Sequence, residues 1–304
     1  MTTEVQLIKV DQSKPVQTPD NVVNLLSQYK TSFETIGRVT GLDIPRAMRT
    51  VLMIAQKTPR ILECTAGSVL GSFLLSVQLG LDIAAKEAYL VPFGKECQLV
   101  PDYRGLVKLV RNTGKVANMR ARCVFKGEPF KIVEGSRPNL EHEPRYDVAR
   151  DWDNLIGVYT VADFAVDGHP TGYSDFQFMP FAQIDAIRQR SAAKADGPWN
   201  HKTDRLEMAM KTGIKHHCKS LPQSVSLVQA LDVDTRALMD RPQRVRLTED
   251  AQGLLSAEIE PEPAEEPQRP QTGSVLDRVV SQAKTPAPAA AVPAGWAPPN
   301  PDVL

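Results

Sequence analysis

Between residues 20 and 80 apolar side chains recur at helical spacing, with Pro45 near one helix start and Gly80 just past the apolar run Val69 to Leu79. This part reads as packed helices. After Gly80 the period drops to two: Ala88 to Val91 and Cys97 to Val100 alternate around Phe93-Gly94-Lys95-Glu96, the pattern of a β-hairpin. Asp102 then stands as the N-cap of a helix with an apolar stripe of Tyr103, Leu106, Val107 and Val110, ended by Gly114. Its other side carries Arg104, Lys108, Arg111 and Lys115 at i, i+4, i+7 and i+11. Residues 116–178 alternate between Gly, Pro and Asp turns, as an antiparallel sheet does, including 155–164 and 172–178. Within Met119-Arg120-Ala121-Arg122-Cys123-Val124 the period of two puts Arg120 and Arg122 on one strand face.

Met179-Pro180-Phe181 opens another helix, with Ile184 and Ile187 facing inward and Arg188 and Arg190 adding positive charge. A loop carrying Trp199 leads into a helix from Asp204. There Leu206, Met210 and Ile214 form a row toward the core, and Lys211, Lys215 and Lys219 repeat at the same spacing on another side. Glu207, four residues before Lys211, is the expected partner of that lysine. No internal repeat breaks this order. The fold class expected is α+β: an antiparallel sheet with a hairpin, packed by helices, with one basic groove and a disordered C-terminal tail.

Charge changes the picture in two places. Lys and Arg together equal Asp and Glu, so the formal net charge is zero, but residues 249–304 hold about nine acidic residues against three basic ones. The preceding part is therefore cationic by about six charges. Residues 86–131 alone carry about ten Lys and Arg against four acidic residues. The C-terminal part is rich in Pro and Ala, too poor in buriable apolar surface to offset the entropy of ordering. Three regions follow: 1–60 as a helical N-terminal region suited to oligomer contacts, 61–225 as the binding core, and 226–304 as an acidic flexible tail. Residues 274–284 are a short helix candidate for a partner, with Val275, Leu276, Val279 and Val280 at helical spacing.

Interleaved cations and aromatics suit single-stranded nucleic acid, whose phosphates need charge and whose unstacked bases need flat surfaces. Arg104, Lys108, Arg111, Arg120, Arg122, Lys211 and Lys215 are the candidate backbone contacts. Trp199 has two readings, a base-stacking surface or a core plug. A metal-dependent nuclease would need Asp102, Asp185, Glu207, His201, His216 and His217 to converge, and their spacings match no ligand pattern. There is no GxxxxGK[ST] string for nucleotide hydrolysis. No catalytic residue and no cofactor is expected. Cys64, Cys97, Cys123 and Cys218 lack CxxC spacing and are expected as free thiols in a reducing cytoplasm. The N-terminus has no signal-peptide design, and no run of about 18 apolar residues implies a membrane span.

Several short strings, in order, carry a family resemblance. Leu79-Gly80-Leu81-Asp82, Ala88-Tyr89-Leu90-Val91-Pro92-Phe93 and Tyr103-Arg104-Gly105 precede Gly197-Pro198-Trp199, Glu207-Met208-Ala209-Met210-Lys211-Thr212 and Leu221-Pro222. Over about residues 65 to 222 the chain resembles the RecT family of phage-type single-strand annealing proteins. The chain departs from that family at Gly213-Ile214-Lys215-His216, where the family tends to have Ala-Ile-Arg-Arg, and in a spacer after Trp199 about two residues longer. The resemblance implies an ATP-independent protein that binds single-stranded DNA and the annealed duplex in homologous recombination. It implies protomers assembled side by side into a ring or helical filament in the cytoplasm of a bacterial host. A divalent cation as an annealing aid, and a phage exonuclease or host single-strand-binding protein on the tail, complete the expected partners. A coat protein that protects strands without annealing them is the alternative, with a nuclease behind it.

Overall fold

A computed structural model describes residues 13–191, 197, 199–201, 204–250 and 253–260. The chain opens with α1 (Pro19–Gln28), α2 (Lys30–Thr40), α3 (Ile44–Lys57) and α4 (Ala66–Leu79). Thr18, Asp43 and Thr65 cap three of them, their side-chain oxygens accepting from Asn21, Arg46 and Ser68 backbone N–H groups that have no partner within the helix. Helix α4 is apolar on almost every side, and every residue from Val69 to Val77 is buried. It is the central post of the domain, packed by α1, α2 and the elements that follow.

The hairpin β1 (Ala88–Phe93) and β2 (Glu96–Pro101) pairs in the register Ala88↔Pro101 and Tyr89↔Val100, and α5 (Tyr103–Arg111) follows directly. Asp102 caps α5 by accepting from the Arg104 N–H, and Leu106, Leu109 and Val110 turn into the core. Gly105 is where α5 touches Glu87, the residue before β1. A Cβ at that position would stand 2.3 Å from the Glu87 carbonyl oxygen, so only glycine permits the approach.

Strand β3 (Val116–Phe125) is followed by a small hairpin, β4 (Phe130–Val133) and β5 (Asn139–His142), and then by β6 (Leu155–Val166) and β7 (His169–Pro180). Strands β3, β6 and β7 form one antiparallel sheet in the order β3-β6-β7. Along β3 the pleat sends Met119, Ala121 and Cys123 inward and leaves Arg120 and Arg122 exposed. Helices α6 (Phe181–Arg190) and α7 (Arg205–Cys218) pack on the sheet, α7 against all three strands. The α+β architecture with antiparallel sheets agrees with the sequence expectation.

Helix α7 is turned relative to that expectation. Ile214 is buried, but Leu206 and Met210 are only partly so, and the stripe against the sheet is Ala209, Gly213 and His217. The small side chains let the helix sink: a Cβ on Gly213 would meet Val158 Cγ1 at 3.0 Å. This close packing accounts for a glycine that costs helix propensity of about 1 kcal/mol.

The expected region boundaries need correction. The N-terminal helices are not set apart at residue 60, because Phe33 of α2 meets Phe73 of α4 edge to face at 4.8 Å. Nor does a flexible tail begin at 226. Helix α8 (Val225–Leu238) buries Leu227, Ala230 and Val233 beside β2, and the hairpin β8 (Val245–Glu249) and β9 (Leu255–Ile259) packs on α4. Side chains from distant parts of the chain fix these elements: Gln243 Oε1 accepts from Leu99 N–H at 3.0 Å, and Ser32 Oγ accepts from Leu255 N–H at 3.0 Å. Residues 226–248 hold one proline and three aspartates against four arginines, so composition does not mark them as tail; their short apolar segments need partners distant in sequence, which local spacing does not show. The rest of the expected tail, with the 274–284 helix, lies outside the described residues.

Candidate nucleic-acid interface

Two clefts flank the start of α7, where the sequence suggested one groove. The first, about 840 Å³, opens between α5 and the free edge of β3. Arg104, Lys108 and Arg111 reach it from α5, at a spacing of one and two helical turns, and Arg120 and Arg122 reach it from β3. Five of the eight candidate residues therefore meet here, opposed by only two lining carboxylates, Glu87 and Glu207. The second cleft, about 680 Å³, lies on the other side of α7 against β1, α6 and α8. It holds the other three candidates, Trp199, Lys211 and Lys215. Its charges balance: Arg190, Lys211, Lys215 and Lys219 face Asp102, Asp204, Glu207 and Asp234.

The cations of the first cleft are not equivalent. Lys108 Nζ donates to Glu87 Oε2 at 2.7 Å and to the Gly80 carbonyl at 2.8 Å, which anchors α5 to the loop after α4. Arg120 is paired with Asp163 of β6. Among the described residues, Arg104, Arg111 and Arg122 have no carboxylate partner, and all three are exposed. Arg104 lies 5.5 Å over the Tyr103 ring and donates from Nε to the Tyr103 hydroxyl at 3.4 Å, a hydrogen bond that raises its pKa further. These three guanidiniums are fixed charge available to a ligand.

The lysines of α7 are placed differently from the sequence reading, which paired Lys211 with Glu207. Lys211 Nζ lies 3.0 Å from Asp234 Oδ1 and donates to the Pro101 carbonyl at 2.9 Å, while Lys215 Nζ lies 2.6 Å from Asp234 Oδ2. Asp234 is the site residue that sequence reasoning missed. It lies on α8, inside the region read as tail, and no local spacing links it to α7. Burial pushes the Asp234 carboxyl up, but Lys211 and Lys215 outweigh this and hold its pKa below the ordinary carboxylate value. Lys215 moves the other way: burial lowers its pKa, and a carboxylate shared with Lys211 does not restore it. The two shifts describe one arrangement, with two ammonium groups on a single buried counter-ion.

Trp199 takes the core-plug role. It is 2 % exposed, its ring meets Trp152 at 6.0 Å, and its backbone carbonyl accepts from Arg205 Nε at 2.8 Å. His217 is also buried, its Nδ1 2.8 Å from the Thr160 hydroxyl; burial lowers its pKa despite Asp175 at 3.3 Å, so the ring is neutral near pH 7. His216 sits outside it, 3.0 Å from Gln177 Oε1.

All four cysteines are buried free thiols, and burial pushes Cys64 up to about 11 and Cys218 up to about 12, which leaves both inert as nucleophiles near pH 7. Among the described residues no group of three or more His, Cys, Asp or Glu could hold a metal ion. Among them also, no helix is long and apolar enough to cross a membrane.

Known proteins resemble this chain over most of the same region. A family model described as the RecT family matches residues 45–246. The chain is 31% identical over 209 residues to Protein RecT of Escherichia coli (strain K12), an alignment covering 64% of this chain and 74% of that protein.

Proposed function

The chain belongs to the RecT family, and from that premise we propose that its first cleft binds the backbone of single-stranded DNA so that complementary strands anneal, without nucleotide hydrolysis, in homologous recombination. The observation that carries this reading is the convergence of five cations from α5 and β3 on one cleft with two carboxylates. Charge at repeated spacing on a helix and a strand edge addresses phosphates, which gives affinity without sequence preference. Arg104, Arg111 and Arg122, without a carboxylate partner among the described residues, supply most of it, while Lys108 and Arg120 are partly neutralised by their own partners.

Annealing makes and breaks no covalent bond, so the protein acts as a binding surface and not as an enzyme. Base stacking releases about 1.4 kcal/mol per base-pair step, enough to drive pairing once a strand is held extended and its charge is offset. Side-by-side protomers in a ring or filament would align many such clefts and multiply a weak site through effective concentration. A divalent cation would help only by screening the two strands from each other. In the host cytoplasm, an exonuclease or a single-strand-binding protein is the partner class for the acidic C-terminal segment.

The test is duplex formation between two labelled complementary oligonucleotides, without ATP, followed against the protein-free rate over a range of salt. Acceleration that fades with salt is expected. Binding that protects the strands without accelerating pairing would make the protein a coat, and no binding would refute the assignment of the cleft.

A further inference from the structure

With Trp199 buried, the base-stacking surface that single-strand binding calls for must lie elsewhere. Tyr103 is the one aromatic residue lining the first cleft, and it is the first residue of α5. Tyr89, on β1, lines the second cleft and is 42% exposed, while its neighbours Ala88 and Leu90 are buried. The hairpin puts the two on adjoining segments. Tyr89 pairs across to Val100, Ala88 pairs with Pro101, and Tyr103 follows two residues later. Lys211 donates to the Pro101 carbonyl at this point, and the Tyr89 hydroxyl feels the charges of Asp102, Arg104 and Lys211. Arg104 lies over the Tyr103 ring.

We propose that Tyr89 and Tyr103, with Arg104 over the Tyr103 ring, form a stacking ridge between the two clefts for unstacked nucleobases of the bound strand. The proposal rests on the assignment of single-stranded nucleic acid to the first cleft. Its chemistry is that of aromatic and guanidinium planes, which hold bases of any identity by their faces. Stacking on faces leaves the Watson–Crick edges open, as annealing requires. A pocket gripping those edges would compete with the second strand.

The experiment compares wild type with a Tyr89→Leu/Tyr103→Leu variant on an oligothymidine and on an abasic backbone of the same length and charge. On the oligothymidine the variant should lose about five-fold in affinity for each tyrosine. On the abasic strand the two proteins should bind alike, and Tyr→Phe at both positions should restore wild-type affinity. Equal losses on both strands, or no loss on either, would overturn the ridge. Should the leucine variant fail to fold, Tyr103→Trp serves instead: added indole emission quenched by oligothymidine and not by the abasic strand supports stacking, and unquenched emission refutes it. Wild type that binds neither strand would sink the cleft assignment itself, a result distinct from failure of the ridge.

Discussion

Replacing Asp234 by Asn should destabilise the domain strongly, whereas replacing Lys215 by Met should not, although each change removes the same ion pair. Asp234 is 5% exposed and is the counter-ion of two ammonium groups, with Lys211 at 3.0 Å and Lys215 at 2.6 Å. Asn leaves both charges in place with no anion between them. Lys211 keeps the Pro101 carbonyl, but the Lys215 side chain, 12% exposed, loses its ion-pair partner. An uncompensated buried charge of this kind costs about 3–5 kcal/mol. Lys215→Met has the opposite logic. It removes the ammonium whose burial already outweighs its share of the carboxylate, leaves Lys211 and Asp234 as a balanced pair, and keeps an apolar stem of similar length. Its cost should stay within about 1 kcal/mol. Urea unfolding at pH 7 reads both as midpoint shifts at constant slope.

Acidity gives a second reading of the same cluster. The folded pKa of Asp234 lies below its unfolded value near 3.9, so its contribution is complete above that value and is lost as pH falls through the folded one. Asp234→Asn should remove that acid-side loss. A Lys215→Met variant as unstable as Asp234→Asn would refute the idea that the two lysines over-supply one carboxylate.

Three further outcomes are expected. Arg111→Ala and Arg122→Ala should each flatten the salt dependence of single-strand binding by about 0.7 in log–log slope, while Lys215→Met leaves it unchanged; measurements of affinity against salt decide. Gly105→Ala should unseat α5 from Glu87, since the added carbon would sit 2.3 Å from a backbone oxygen, and thermal unfolding should show a loss well beyond the roughly 1 kcal/mol that alanine gains in helix propensity. A chain ended after Glu260 keeps every described element and should fold, whereas one ended after Thr248 loses β9 with its buried Leu255 and Ala257 and should unfold at lower denaturant, as circular dichroism would report.

What the sequence made legible is what local periodicity encodes. The hairpin around Gly94, the cationic side of α5 and the alternation that exposes Arg120 and Arg122 all follow from spacing within one element, and the structure has each of them. Facing was harder. A helix pattern that favours large apolar residues points α7 along Leu206, Met210 and Ile214, but the sheet accepts a closer helix through Ala209 and Gly213, and small residues carry little hydrophobic signal. The division into two clefts was not legible at all, because it depends on how α7 packs among α5, β3, β1 and α8, and which cations are free in each depends on which charges are already spent. Spacing counts Lys215 and Arg122 as equal candidates; α8 neutralises the first through Asp234, while the described residues offer the second no carboxylate. A cation becomes a candidate for phosphate only after its internal partners are known, and for α7 that partner lies 19 residues beyond Lys215 in sequence. Burial likewise takes Trp199, conspicuous in sequence, out of reach of a ligand, and leaves the proposed stacking role to tyrosines at the mouth of the hairpin that composition alone does not distinguish.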